Sequence, residues 1–120
     1  MVYWACSWVT PYVLNLNDKT TNMITRIVKL TFKQDHVDEF LELFDVAKEK
    51  ILSFEGCIEL ELLRDKAETN VFFTHSVWKA DEYLQEYRSS KIFGTYWVEV
   101  KKMFMTKAEA WSLNSIYKNQ

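Results

Sequence analysis

The hydrophobic positions between residues 24 and 56 change from an alternating to a helical period. From Ile24 to Phe32 the apolar residues concentrate at alternate positions, and a period of two predicts a β-strand. From Asp35 onward they recur every three or four positions, which predicts an amphipathic helix capped by Asp35. The helix should end near Glu55 and Gly56, because glycine readily adopts the left-handed conformation of a helix terminus. The predicted apolar face consists of Val37, Phe40, Leu41, Phe44, Ala47, Ile51 and Leu52.

The next part of the chain alternates again and predicts a hairpin. Residues Cys57 to Arg64 alternate between apolar and acidic side chains, and Val71 to Trp78 is rich in β-forming residues. The polar run from Asp65 to Asn70 predicts the turn between two antiparallel strands. In the first of these strands, one predicted face is apolar and the other acidic. The apolar face consists of Ile58, Leu60 and Leu62, and the acidic face consists of Glu59 and Glu61.

The last third of the chain predicts a long helical region and a closing strand. Asp81 to Phe104 has helical spacing, and the serine pair Ser89 and Ser90 marks a break or a new cap within it. Ala108 to Tyr117 contains alternating apolar residues and predicts the final strand.

The predicted order is therefore strand, helix, strand, strand, helix, strand. Its simplest arrangement is a four-stranded antiparallel sheet with both helices on one face, which is an α+β, ferredoxin-like fold. The second face should also be apolar, since Phe72 and Trp78 share one parity of their strand while Val71 and Phe73 share the other. Because such a face usually packs against another sheet, we expect a homodimer.

Length and composition suit a single domain spanning residues 23–117. The first 22 residues contain the only proline and are expected to form a poorly ordered extension outside the core. With 15 basic and 17 acidic residues, the net charge of −2 offers no basic surface for nucleic acid. Cys6 and Cys57 have neither disulfide nor metal spacing, and no window is long enough to span a membrane. These features predict a cytoplasmic protein with reduced thiols.

The sequence lacks the common catalytic motifs but is rich in aromatic residues. No GxSxG, HExxH, CxxC or phosphate-loop pattern occurs. Of the two histidines, His36 lies at a predicted helix start and His75 lies within a predicted strand. His75 is either a functional group or a hydrogen-bonded residue of the sheet. Aromatic residues make up 16% of the chain, and a wall of them between sheet and helices would suit a flat aromatic ligand as well as core packing.

Four segments together carry a family resemblance. They are MITRIVKLTFK, FEGCIELELLRD, VFFTHSVWKADEYLQEYRSSKIF and KAEAWSLN. From Met23 to about Ile116, their order and spacing resemble the antibiotic biosynthesis monooxygenase (ABM) domain family. The most specific feature is Trp78 at the end of a strand, followed by an acidic helix start and a second helical segment after a serine pair.

The resemblance implies a dimeric α+β barrel in which each subunit has a pocket between sheet and helices. It also implies monooxygenase activity on quinol-like or polyketide aromatics without metal or flavin, so neither a cofactor nor a metal site is expected. Many members have a histidine nine residues after the strand-end tryptophan, where this chain has Tyr87, so the role of that histidine does not transfer. Haem-degrading members need a histidine ligand in this region, and residues 81–104 contain none.

These features lead to a mechanistic hypothesis. A small aromatic substrate sits against Trp78, loses a proton, and as an electron-rich anion reduces oxygen directly. Trp78, with Tyr87 and His75 for hydrogen bonding or proton transfer, makes up the candidate catalytic set. The candidate substrate-binding residues are Arg26, which could pair with a phenolate or lie in water at a strand end, and Phe72, Phe93 and Trp97. The alternative is a non-catalytic dimeric protein with a ligand-binding or structural role.

Overall fold

The computed structural model describes residues 22–119. The elements are β1 (Ile24–Thr31), a 3₁₀ turn (Gln34–His36), α1 (Val37–Leu52), β2 (Cys57–Arg64), β3 (Val71–Trp78), α2 (Asp81–Arg88), α3 (Lys91–Lys101) and β4 (Glu109–Leu113). The predicted N-terminal extension, residues 1–22, lies outside the described residues except for Asn22. In the part of the chain that is described, no helix is both long and apolar enough to cross a membrane.

The four strands form one antiparallel sheet in the order β2-β3-β1-β4. The central strands β1 and β3 pair along their whole length, from Ile24 opposite Trp78 to Thr31 opposite Val71. Helix α1 packs against β2, α2 packs against β3, and α3 packs against both other helices. This arrangement confirms the ferredoxin-like α+β fold predicted from the sequence.

Even-numbered positions of β1 and β3 face the helices. Leu30 and Phe72 pack in one cluster with Phe40 of α1, and Trp78 packs in another with Leu84 of α2. Because successive side chains of a strand point to opposite faces, the odd-numbered positions of β1 and β3 lie on the helix-free face. This division decides which side chains can reach a site between sheet and helices.

The core consists of two clusters at opposite ends of the sheet. The first is centred on Phe32, Phe40 and Phe72, and the Phe32 and Phe40 rings stack with centroids 4.2 Å apart. The second is centred on Trp78 and Tyr87, with Leu84 and residues of α1 around them. Tyr96 of α3 packs against both clusters, so α3 bridges the space between them.

Helix α1 begins differently from the prediction. Asp35 lies inside the 3₁₀ turn, and neither this turn nor α1 has a side-chain cap, so the predicted capping role of Asp35 is wrong. His36 instead contacts Glu39, with 3.0 Å between Nδ1 and Oε1. The predicted apolar face is otherwise buried or half-buried, apart from Leu52, which is 43% exposed at the end of the helix.

Two backbone features fix the connection from α1 to β2. Gly56 has a φ of 91°, the left-handed conformation predicted for the end of the helix. An added Cβ there would collide with the Tyr83 side chain. A bulge follows, because Cys57 pairs with Trp78 and Glu59 pairs with the adjacent Val77. Because of the bulge, Cys57 packs in the second cluster and Ile58 is 41% exposed. The prediction that Ile58 shares the buried face of Leu60 is therefore wrong.

The serine pair divides the predicted long helix into α2 and α3. Ser90 is the N-cap of α3: its Oγ accepts a hydrogen bond from the Phe93 N–H at 3.2 Å and donates one to the Tyr87 carbonyl at 2.6 Å. The closing strand ends at Leu113 rather than at Tyr117. It ends there because Leu113 pairs with Thr25, at the start of β1, and beyond that point β1 offers almost no partner.

Candidate functional site

A cavity of about 240 Å³ lies between the sheet and helices α2 and α3. Its sheet side is formed by helix-facing positions of β1 and β3 with Leu60 of β2. Its far side is formed by side chains of α2 and α3 with Phe44 and Ile51 of α1. Residues at one edge come from β4 and the segment before it, including Ala108 and Ala110. The lining is mainly apolar, as in most small-molecule sites.

Aromatic rings form a continuous wall along the helical side of this cavity. The Trp78 and Tyr87 rings stack with centroids 5.2 Å apart, and Tyr87 meets Phe93 edge-on at 5.1 Å. Phe93 in turn stacks on Trp97 at 5.5 Å with an interplanar angle of 15°. The cap formed by Ser90 holds this wall together, because it bonds the carbonyl of Tyr87 and the N–H of Phe93. Offset and edge-on contacts are the arrangements that aromatic pairs prefer, so these rings hold one another in place.

Two tyrosines belong to the lining, Tyr87 and Tyr96. Burial is the main cause that raises the pKa of both phenols well above the usual 10.0, with smaller contributions at Tyr87 from Tyr96 and Cys57. Tyrosines with an ordinary pKa are already neutral near pH 7, and burial disfavours the phenolate further. A neutral phenol can donate or accept a hydrogen bond but is a poor proton acceptor in general-base catalysis.

A polar row crosses the sheet beneath the wall. Arg26 lies between Ser76 of β3 and Ser112 of β4 in the strand register, and its Nη1 donates to the Ser112 Oγ at 2.9 Å. The Ser76 Oγ accepts a hydrogen bond from the Trp78 Nε1 at 3.0 Å. Arg88, at the end of α2, also lines the cavity. The cavity therefore has an aromatic wall and one cationic end.

Electrostatics at this cationic end act on Arg26. Burial lowers its pKa, the positive charge of Arg88 lowers it further, and the negative charge of Asp81 opposes both effects. An anion close to Arg26 would favour its charged form.

The lining contains neither a carboxylate nor a histidine within residues 22–119. In the same residues, no group of three or more histidine, cysteine, aspartate or glutamate side chains could hold a metal ion. Proton transfer through this lining would have to use hydroxyl groups, the arginines or water.

The structure brings five of the seven predicted site residues to the cavity. They are Arg26, Trp78, Tyr87, Phe93 and Trp97. Phe72 is not among them, because it fills the first cluster against Phe32 and Phe40. His75 occupies an odd position of β3, paired with Ile27, and so lies on the helix-free face away from the cavity.

The candidate set did not include four polar members of the lining, namely Thr74, Ser76, Arg88 and Tyr96. Ser76 could have been found, because it shares the strand parity of Trp78 and is two residues away. The same parity would have placed His75 on the opposite face. Tyr96 lies at helical spacing from Phe93 and Val100, a pattern that indicates a shared buried face. Arg88 carries no comparable signal, since its position depends on how α2 packs.

Sheet order, helix placement and an aromatic-lined cavity define a ferredoxin-like α+β protein with a cavity between its layers. The family model described as antibiotic biosynthesis monooxygenase matches residues 23–97, and the chain therefore belongs to the ABM family. None of the curated proteins compared with this chain matches it.

Solved structures share the fold at low sequence identity. A conserved protein from Methanosarcina mazei Go1 is 20% identical with a TM-score of 0.77, covering 82% of this chain and 98% of its own. A candidate antibiotic biosynthesis monooxygenase from Nitrosomonas europaea is 15% identical with a TM-score of 0.76, covering 83% and 96%. A mutant of SnoaB, a cofactor-independent oxygenase from Streptomyces nogalater, is 14% identical with a TM-score of 0.73, covering 81% and 96%. At these identities the likeness concerns the fold.

Proposed function

We propose that this protein is a cofactor-independent monooxygenase that acts on a small aromatic or quinol-like substrate. The observation that carries the proposal is the cavity itself, which combines an aromatic wall with a cationic end in a chain of the ABM family. The wall would hold a flat ring, and Arg26 would stabilise the negative charge of its ionised form. SnoaB, a structural neighbour, is described as a cofactor-independent oxygenase, which supports the same reaction class.

In the proposed reaction the substrate supplies all four electrons. Ionisation of an acidic C–H or O–H gives an anion, which transfers an electron to O2, and the two radicals combine into a carbon-bound peroxide. Protonation of the peroxide and loss of water then convert a CH2 group and O2 into a C=O group and H2O. The protein contributes binding, orientation and exclusion of bulk water.

Each cavity residue has a role in this proposal. Arg26 stabilises the substrate anion, and Ser76, whose Oγ already accepts from Trp78, has its hydroxyl proton available for a hydrogen bond to it. Tyr87 serves as a neutral hydrogen-bonding group rather than as a base, because burial raises its pKa. Phe93 and Trp97 complete the apolar wall. The proton that the substrate loses on ionisation goes to water. The proposal therefore favours substrates whose acidic C–H or O–H group already has a low pKa.

One observation favours a second candidate function, a non-catalytic ligand-binding protein. The described lining offers no carboxylate or histidine that could remove a proton. A protein of this kind would bind aromatic ligands saturably without consuming oxygen.

We also propose that the protein is a homodimer and works in the cytoplasm. The helix-free face of the sheet presents apolar side chains such as Trp111 and Leu113, each 43% exposed, which supports packing against a second sheet. The two cysteines, Cys6 and Cys57, lie far apart in sequence without the spacing of a disulfide framework, which supports a reducing compartment.

Oxygen uptake distinguishes the enzyme from the binder. We expect the protein to consume O2 with at least one member of a panel of anthrone and dihydroxynaphthalenes. Filling the cavity edge with Ala110→Phe should lower kcat/KM at least about tenfold through misplacement of the substrate. Ala67→Phe, which places the same ring in the exposed β2–β3 turn, should leave the rate unchanged.

Saturable quenching of tryptophan fluorescence without oxygen uptake would overturn the oxygenase in favour of the binder. Equal rates for the Ala110 and Ala67 variants would show that the reaction takes place outside the cavity. Trp78→Ala is less suitable here, since Trp78 is 1% exposed and its truncation would cost about 3–5 kcal/mol of stability.

A further inference from the structure

His75 lies near the middle of the helix-free face of the sheet, on the central strand β3. Its cross-strand neighbours are Ile27 on β1 and Glu61 on β2. Phe73 and Val77, two residues away along β3, point to the same face and are half-buried. The imidazole of His75 is therefore an ionisable ring with apolar side chains on three of its four sides.

The ring nitrogen Nδ1 of His75 is poorly placed to carry a proton on a charged ring. It is buried and has no hydrogen-bond partner among the described residues. A neutral imidazole has a proton on one ring nitrogen, whereas an imidazolium has one on both. Protonation would therefore leave a charged N–H donor at Nδ1 without an acceptor, and a buried donor without a partner costs free energy. This geometry suits the neutral ring.

Four other ionisable side chains of the described strands share this face. They are Lys29 on β1, Glu59 and Glu61 on β2, and Glu109 on β4. Only Glu61 lies directly opposite His75, and it is exposed and forms no ion pair with the imidazole within residues 22–119. Lys29 lies diagonally across from His75, where its positive charge opposes a second one. A second copy of the chain would bring the same four groups to the interface.

We propose that assembly through the helix-free face is coupled to the protonation of His75, so that the dimer forms with a neutral imidazole and dissociates as the pH falls. The inference rests on the homodimer proposed above. A second sheet packed on this face would remove water from the half-buried ring, and a charge that water no longer solvates is costly. In a two-fold symmetric dimer both copies contribute this ring, so two protons oppose each association.

The direction of the pH dependence follows from linkage. Because the monomer leaves the ring of His75 in contact with water, it binds the proton more readily than the dimer does. Lowering the pH therefore shifts the equilibrium toward the monomer. Histidine side chains as a class change their charge between about pH 8 and about pH 5, so the dissociation should fall within that range.

Sedimentation equilibrium of the full chain at constant ionic strength measures the coupling. We expect the dimer Kd to rise at least about tenfold between about pH 8 and about pH 5.5, because each proton that opposes assembly changes Kd by up to about tenfold per pH unit. Ending the series at about pH 5.5 keeps carboxylates of ordinary pKa mostly ionised. Far-UV circular dichroism should be the same at both ends of the range, because the chains dissociate without unfolding.

Variants of the only two histidines of the chain assign the effect. His75→Gln and His75→Phe, one polar and one apolar, both lack the titrating ring and should keep Kd constant within about twofold over the range. His36→Gln changes the other histidine, which contacts Glu39 at the start of α1, and should retain the full pH dependence. Glu61→Gln removes the carboxylate that would favour an imidazolium at His75, and should make the dependence steeper.

A Kd that stays constant or falls on acidification would overturn the coupling and leave the dimer standing. A pH dependence that persists in both His75 variants, or that disappears in His36→Gln, would also overturn it. Loss of the dimer at the alkaline end in both His75 variants would contradict it as well, because the ring would then be required for assembly rather than tolerated. A wild type that is monomeric at every pH would contradict the homodimer itself and, with it, the coupling.

Discussion

At the scale of single residues, strand pairing positions the polar groups of the cavity. Arg26 is held in place by Ser112 on one neighbouring strand and lies opposite Ser76 on the other. Ser76 is oriented by the Trp78 indole, which is itself buried against Tyr87. Because each of these side chains has a fixed neighbour, the cavity can present a charge and a hydroxyl to a ligand with little rearrangement, which lowers the entropic cost of binding.

The buried phenol of Tyr87 gives a prediction about stability at alkaline pH. Its pKa is raised above 10.0 in the folded protein, so the unfolded chain releases this proton at a lower pH. The stabilisation is complete below about pH 10 and is lost as pH rises toward the raised pKa, by about 1.4 kcal/mol per pH unit.

Urea denaturation between about pH 8 and about pH 12 measures this slope. Tyr87→Phe should make the alkaline decline shallower. Tyr117→Phe, which alters a ring that is 84% exposed, should leave it unchanged. Identical slopes for all three proteins would contradict the account of Tyr87.

At the scale of elements, periodicity predicted every strand and the main helices, because each buries one face against the others. The start of α1 was not predictable from Asp35, since a 3₁₀ turn replaces a side-chain cap. The bulge at Ile58 was missed because alternation alone assumes an unbroken register. Trp78 was assigned to the cavity from the family resemblance; strand parity counted from Trp78 would have placed Ser76 on the same face and His75 on the opposite face. Arg88 depended on tertiary packing and left no pattern in the sequence.

The junction of α2 and α3 gives a prediction at this scale. Ser90→Ala removes the cap of α3 and should lower the free energy of unfolding by about 1 kcal/mol. Ser89→Ala changes the exposed neighbour, for which the structure shows no side-chain hydrogen bond among the described residues, and should stay within about 0.5 kcal/mol of the wild type. Urea denaturation of both variants measures the difference. Equal effects would rule out the capping role of Ser90.

At the scale of the whole molecule, the two faces of the sheet differ in whether helices cover them. One face is covered by helices and contains the cavity, whereas the other exposes apolar side chains. Leu63, Trp111 and Leu113 are exposed on this face. Ile27, Phe73 and Val77 are half-buried there. His75 lies among them, and its Nδ1 is buried without a hydrogen-bond partner in the described residues. A second sheet packed on this face would cover the apolar side chains and could supply a partner for His75.

Size-exclusion chromatography at micromolar concentration tests the proposed dimer. The wild type should elute as a dimer, and Trp111→Glu should shift it toward the monomer by placing a charge in the interface. Val46→Glu puts the same charge on α1, where Val46 is 69% exposed, and should leave the dimer intact. A wild-type protein that elutes only as a monomer would contradict sheet packing.

The fate of the oxygen atoms tests the central claim most directly, namely that the aromatic cavity of this ABM-family chain carries out a monooxygenation. The measurement is mass spectrometry of the product formed under isotopically labelled O2 from anthrone or a dihydroxynaphthalene. The account predicts one labelled oxygen in the product quinone, with formation strongly reduced in Ala110→Phe and unchanged in Ala67→Phe. If either compound binds but no labelled product forms above the uncatalysed background, the central claim is contradicted.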